Sequence, residues 1–162
     1  MLRRYNGFTL IELMVVIAIM GILMVAGLVA YSSALKTARN GRRKEDLKEI
    51  QAALVIYKND TGTYPVTSGW WGTCSGYGSH PNTGPTGYIP GLAPNYMQSL
   101  PVQPLGAGNP QSCYLYASDG IDYKVLAYQG PEGTWTSSDP FYDPVRPATA
   151  WQVSSSSVSL NW

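Results

Sequence analysis

The stretch GFTLIELMVVIAIMGILMVAGLVAYSSAL, residues 7–35, decides the reading of this chain. Glu12 is its only charged side chain, and residues 13–35 carry no charge at all. Roughly 23 residues rising 1.5 Å each make a helix about 35 Å long, enough to cross a hydrocarbon core of about 30 Å. The run therefore predicts a transmembrane helix over residues 8–35. A chain of 162 residues has room for one modest core, and this segment contributes nothing to it.

Beyond Leu35 the apolar signal changes its period rather than ending. Leu35, Ala38, Leu47, Ile50, Leu54 and Tyr57 recur at three- and four-residue steps, with Arg42, Arg43, Glu45, Asp46, Lys48 and Glu49 between them. Residues 36–59 thus read as an amphipathic continuation of the same helix, stopped by NDTGTYP at residues 59–65 through Gly62 and Pro65. Residues 60–112 are rich in Gly, Pro, Ser and Tyr and predict a mostly irregular loop laid over the helix, tethered by Trp70, Trp71 and Cys74. In CYLYASDGIDYKVLAY, residues 113–128, two alternating runs flank Asp119-Gly120, a hairpin signal because Asp-Gly adopts the positive φ angles of tight turns. The tail to Trp162 carries Trp135, Trp151 and Trp162, so part of it should pack; the serines at residues 154–157 fit either a disordered end or a last edge strand. The expected fold class is α+β: a long N-terminal helix whose amphipathic half packs on a small antiparallel sheet formed within residues 113–162.

The net charge of +1 conceals two opposed halves. Up to Lys58 the bases Arg3, Arg4, Lys36, Arg39, Arg42, Arg43, Lys44, Lys48 and Lys58 outnumber Glu12, Glu45, Asp46 and Glu49. From Asn59 onward, Asp60, Asp119, Asp122, Glu132, Asp139 and Asp143 face only Lys124 and Arg146. Both cysteines, Cys74 and Cys113, lie in the acidic half. Outside the cytosol they predict one structural disulfide, closing a loop of about 40 residues for roughly 4 kcal/mol in the chain-entropy model.

Ahead of the apolar run stands MLRRYNG, residues 1–7, a short basic leader. Together with Phe8-Thr9-Leu10-Ile11-Glu12 it resembles the prepilin processing site of type IV pilins and of type II secretion pseudopilins. The resemblance implies cleavage between Gly7 and Phe8 by a prepilin peptidase on the cytosolic side, with N-methylation of the new terminus at Phe8. An ordinary secretory signal is cut beyond its apolar region; here the apolar helix would be kept. A carboxylate well inside a membrane costs about 2.5–3.5 kcal/mol, so Glu12 asks for a partner. In the family picture it neutralises the Phe8 amine of a neighbouring subunit during assembly. A role at the first helical turn, favoured by the helix dipole, is compatible with this.

More loosely, YKNDTGTYP at residues 57–65, GYIPGLAPNYMQSLPVQP at 87–104 and YASDGIDYKVLAY at 116–128 resemble the globular part of the major pseudopilins. Two positions depart from the family pattern. Val29 stands where a proline is common, with Gly21 matching the family's glycine, so both a melted helix stretch and close packing through Gly21 and Gly27 stay open. Gln103 stands where an aspartate is frequent. The resemblance also implies calcium in an acidic C-terminal loop. Asp119 and Asp122 are the weak candidates, with Glu132, Asp139 and Asp143 in the same half, although their spacing matches no ion-binding loop. No other cofactor is expected.

The inventory speaks against an enzyme: one histidine, His80, in a Gly/Pro-rich loop read as solvated, with no HExxH, phosphate loop or serine-nucleophile motif. DNA capture, as in some minor pilins, would fall to the basic cluster 36–48, but Glu45, Asp46 and Glu49 interleave it and fit subunit pairs or a solvated face better. An adhesive minor pilin and a membrane-anchored ectodomain that never polymerises remain as alternatives. The bases that follow the span run against the positive-inside rule; the processing motif and the cysteines place the C-terminal part outside the cytoplasm. The expected function is a structural subunit of a type IV pilus or secretion pseudopilus: anchored singly in the inner membrane, then assembled on an inner-membrane platform into a homo-oligomeric helical filament, periplasmic or at the cell surface.

Overall fold

The computed structural model describes residues 7–104 and 111–162. Residues 1–6 of the expected leader and residues 105–110 of the expected loop lie outside the described residues. The chain divides into two compact units, one reaching Thr37 and the other Ala38–Trp162.

A single helix, α1, covers Leu10–Thr61. It stops where Gly62 takes φ +85° and donates its N–H to the Lys58 carbonyl at 2.8 Å, a left-handed exit that glycine adopts without a Cβ penalty. Among the described residues of the first unit every large apolar side chain is exposed, from Phe8 at 88% to Leu35 at 39%.

The second unit is built on a four-stranded antiparallel sheet, with β1 (Trp71–Gly72), β2 (Cys113–Ser118), β3 (Tyr123–Tyr128) and β4 (Ala150–Ser154) in sequence order across it. Pairing of Cys113 with Tyr128 and of Ser118 with Tyr123 closes the β2–β3 hairpin around a four-residue turn. There Gly120 alone takes positive φ, and the Asp119 carboxylate accepts the amides of Ile121 and Asp122 at 2.9 and 2.8 Å. The turn is thus two residues longer than the tight Asp-Gly type, held by its own aspartate. The serine run divides: Ser154 ends β4, and the later serines form a turn leading to a short 3₁₀ segment, Ser159–Asn161.

Period-two alternation gives the sheet two faces, both covered. Tyr114, Tyr116, Tyr123, Val125, Ala127 and Trp151 point to the core that α1 completes with Leu47, Ile50 and Leu54. On the opposite face Cys113, Leu115, Leu126 and Ala150 pack with Cys74 under Trp70, Tyr77 and Tyr128. The Cys74–Cys113 disulfide, bridging 39 positions of sequence, ties the loop to the start of β2. Tyrosine hydroxyls pin irregular backbone elsewhere: Tyr88 donates to the Pro101 carbonyl at 2.9 Å and Tyr116 to that of Pro65 at 2.8 Å.

The opposed charges meet inside this unit. Glu132 takes a bidentate pair from Arg39 at 2.7 and 2.6 Å and a third contact from Arg43 at 3.3 Å. Lys44 reaches Asp139 at 2.7 Å. Arg43 is fully buried and also donates to Asn40, to Gln103 Oε1 and to the Pro104 carbonyl. Arg39, Arg43 and Lys44 are thus paired within one chain, while Arg42, Glu45, Lys48 and Glu49 stay exposed on the helix, as a solvated face would be. Gln103 explains its own departure from the family's aspartate. Its amide nitrogen donates to the carbonyls of Cys113 at 2.7 Å and Tyr128 at 3.3 Å, while its oxygen accepts from Arg43 and Ser112. A carboxylate there can accept but not donate.

Two predictions test this network. A Cβ on Gly130 would collide with the Gln103 side-chain amide. Gly130→Ala should therefore displace the amide and lower the thermal midpoint by roughly 5–10 °C, about 2–4 kcal/mol. Gly41→Ala, helical with open space around it, should stabilise the chain by up to about 1 kcal/mol and so raise the midpoint; equal effects would refute the assignment. The second concerns acid. The Arg39 and Arg43 bonds, against burial, hold Glu132 below the usual glutamate value. Its contribution is complete above about pH 4.3 and is lost as pH falls through the lowered value. In pH-dependent melting, Glu132→Gln should lie well below the parent chain at neutral pH and converge with it in acid.

Candidate processing and assembly site

Residues 7–9 precede the first helical turn, so the Gly7–Phe8 peptide bond lies outside α1, and both of its residues are exposed. Thr9 is the N-cap. Its backbone N–H and its hydroxyl both donate to Glu12 Oε2 at 2.8 Å, and the Glu12 N–H donates to Thr9 Oγ1 at 3.3 Å. This is a reciprocal capping box, Thr-x-x-Glu, which satisfies amide donors that a helix start leaves without partners. The sequence reading assigned Glu12 to the first turn but missed Thr9, although a threonine three positions before a glutamate at the head of an apolar run is the signal for it. Phe8 is 88% exposed and stands beside this cap. A free amino group generated there would therefore arise next to Thr9 and four positions before the Glu12 carboxylate that Thr9 orients.

Along the helix Gly21 and Gly27 have no atom within 4 Å of where a Cβ would be, and α1 continues without interruption through Val29. No contact inside the chain calls for glycine at either position. The helix is long and apolar enough to cross a membrane.

The remaining sequence candidates are placed elsewhere. His80 is not simply solvated: its ring stacks on Trp71, with centroids 4.0 Å apart and planes 9° from parallel. The carboxylates offered for calcium do not fit it. Asp119 holds the turn amides, and Asp122 accepts from the Ser155 hydroxyl at 2.7 Å. Glu132 and Asp139 are paired with α1, and Asp143 with Lys124 and Arg146. Among the described residues no three His, Cys, Asp or Glu side chains converge as a metal site would require.

Comparison with known proteins accords with this arrangement. The family model of the prokaryotic N-terminal methylation motif matches residues 2–28, spanning the leader, the cap and the head of the apolar run. Type II secretion system core protein G of Pseudomonas aeruginosa is 34% identical over 139 residues, which is 81% of this chain and 89% of that protein. The protein of the same name from Klebsiella pneumoniae is 34% identical over 142 residues, 85% of this chain and 93% of that protein. That from Vibrio cholerae is 32% identical over 136 residues, 82% and 86% respectively. The chain belongs to the type II secretion system core protein G family of pseudopilins. No solved structure matches it significantly. Because the similarity runs through the globular part as well as the apolar helix, it resolves the choice between pilus and secretion pseudopilus that the processing motif leaves open. This pseudopilin is a structural pseudopilus subunit with a prepilin processing motif.

The capping box yields a test. Thr9→Val removes the hydroxyl at nearly constant volume and should cost about 1 kcal/mol of local helix stability. Hydrogen exchange in detergent micelles should then be faster in the first turn of α1 and unchanged in β2 and β3, whereas Thr9→Ser should retain the protection. Equal protection in all three chains would exclude the cap.

Proposed function

We propose that this pseudopilin is made as a precursor, held in the inner membrane by residues 8–35 with its C-terminal unit in the periplasm. Prepilin peptidase cuts it between Gly7 and Phe8 and N-methylates Phe8, and an inner-membrane platform assembles it into a homo-oligomeric helical filament. The carrying observation is the uninterrupted exposure of the apolar side chains from Phe8 to Leu35 behind a capped Glu12. At roughly 1.5–3 kcal/mol per large side chain, leaving this surface in water would cost several tens of kcal/mol. It therefore has to be covered, first by lipid and then by other copies of itself. The Cys74–Cys113 disulfide supports the periplasmic placement of the C-terminal unit, since such bonds persist in oxidising compartments.

Moving the helix from lipid into a bundle of helices brings little hydrophobic gain, because both surroundings are apolar. Specificity falls to close packing, for which Gly21 and Gly27 leave room, and to the pairing of Glu12 with the Phe8 amine of a neighbour. The role is structural, with no reaction catalysed. DNA capture is disfavoured, because Arg39, Arg43 and Lys44 already serve Glu132 and Asp139.

The test joins processing to assembly. Mass spectrometry of the mature parent protein should find a methylated Phe8 at its terminus; an intact Met1 on secretion-competent material would overturn the reading. Glu12→Leu should be inserted and cleaved like the parent, yet filament yield after overexpression should fall at least tenfold by electron microscopy. Normal filaments would remove Glu12 from assembly.

A further inference from the structure

On the sheet face opposite α1, Lys124 of β3 is fully buried beside an equally buried Asp143. Three oxygens surround its ammonium: Asp143 Oδ1 at 3.1 Å and the backbone oxygens of Leu160 and Trp162 at 2.8 and 3.0 Å. Three donors thus meet three acceptors, which fully satisfies an ammonium group. Arg146 completes the cluster, with Nη1 3.4 Å from Asp143 Oδ2 and 2.8 Å from the Trp162 backbone oxygen, its guanidinium 5.0 Å from the Trp70 ring centroid. Asp143 also accepts the Val145 amide at 2.9 Å.

A carboxylate with two backbone oxygens is the kind of oxygen set that binds a hard cation. Here its charge is answered from within the chain, while the other carboxylates expected to hold calcium are engaged elsewhere. We propose that Lys124, assisted by Arg146, is the built-in cation of the C-terminal unit: it fastens residues 155–162 to the sheet through Asp143 and the Leu160 and Trp162 backbone oxygens, so that the unit's stability does not depend on calcium. Burial draws the ammonium below the ordinary lysine value and Asp143 opposes the shift, the balance expected where a charge is retained for its contacts.

The experiment uses the full-length chain in detergent micelles, melted in millimolar calcium chloride and again in excess EGTA. A resident site with calcium at a hundredfold its dissociation constant would raise the midpoint by roughly 5–10 °C. The expected difference is below about 1 °C, and a rise above about 3 °C would overturn the proposal. Lys124→Met keeps the length of the side chain and removes its charge. It should lower the midpoint by roughly 10 °C in both buffers and accelerate hydrogen exchange across residues 155–162 ahead of the β2–β3 hairpin. An unchanged midpoint with a protected C-terminal segment would overturn the latch. If that variant fails to fold, Arg146→Ala replaces it: a fall of a few degrees with selective exposure of residues 155–162 supports the latch, and full protection rejects it.

Discussion

Between Leu10 and Thr61 one helix has to satisfy two different surroundings. Up to Leu35 its apolar residues point in every direction and none is buried by the chain itself; from Leu47 onward Leu47, Ile50 and Leu54 lie on one face and close the core. A helix apolar all round cannot select a face, and one apolar along a stripe cannot avoid doing so. The first part therefore depends on something outside the chain, whereas the second is held by its own sheet. Both the membrane phase and the filament phase of the proposed life cycle follow from that difference.

The charge distribution serves the second part. A basic helix followed by an acidic C-terminal half has the look of a cationic surface seeking an external polyanion, but the chain supplies the anions itself. Arg43 has no solvent to turn to, and Glu132, Asn40, Gln103 and the Pro104 carbonyl meet it instead. Buried ion pairs contribute little net stability compared with an apolar replacement, yet removing one partner is costly. Their evident consequence is register: Arg39 and Arg43 meet Glu132 while Lys44 meets Asp139, fixing how this stretch of α1 is seated against the loops that precede β4.

What the sequence made legible were the elements with long, redundant signals. An uncharged run of some two dozen residues, a change of period after Leu35 and two alternating runs around Asp119-Gly120 each rest on many residues agreeing. The features it hid rest on single residues. β1 has two residues, Trp71 and Gly72, too few for alternation to register among glycines and prolines, so it read as loop. The Thr9 cap was readable but was overshadowed by the family motif that contains it. Gln103 registered only as a departure, since its value lies in donating to Cys113 and Tyr128 and accepting from Arg43, partners 10 to 60 positions away. Lys124 was tallied as one of two bases in an acidic half, and nothing in its neighbours announces burial. Long-range polar contacts leave no periodicity, and this is why they escape a reading by pattern.

The cap also bears on how assembly is made specific. An exposed glutamate side chain samples many rotamers, and freezing them on contact with a neighbour would cost on the order of 0.5–1.5 kcal/mol. Thr9 has already restricted Glu12: two donors from one residue converge on Oε2. A neighbouring amine would then meet a carboxylate whose position is set by its own helix start, and part of the ordering cost would fall on folding rather than on assembly. Where lipid and bundle are nearly equal as apolar surroundings, a difference of this size is enough to favour one axial register over another. In the proposed pairing, the residue that orders Glu12 within its own chain is therefore as much a part of the assembly chemistry as the charge it orients.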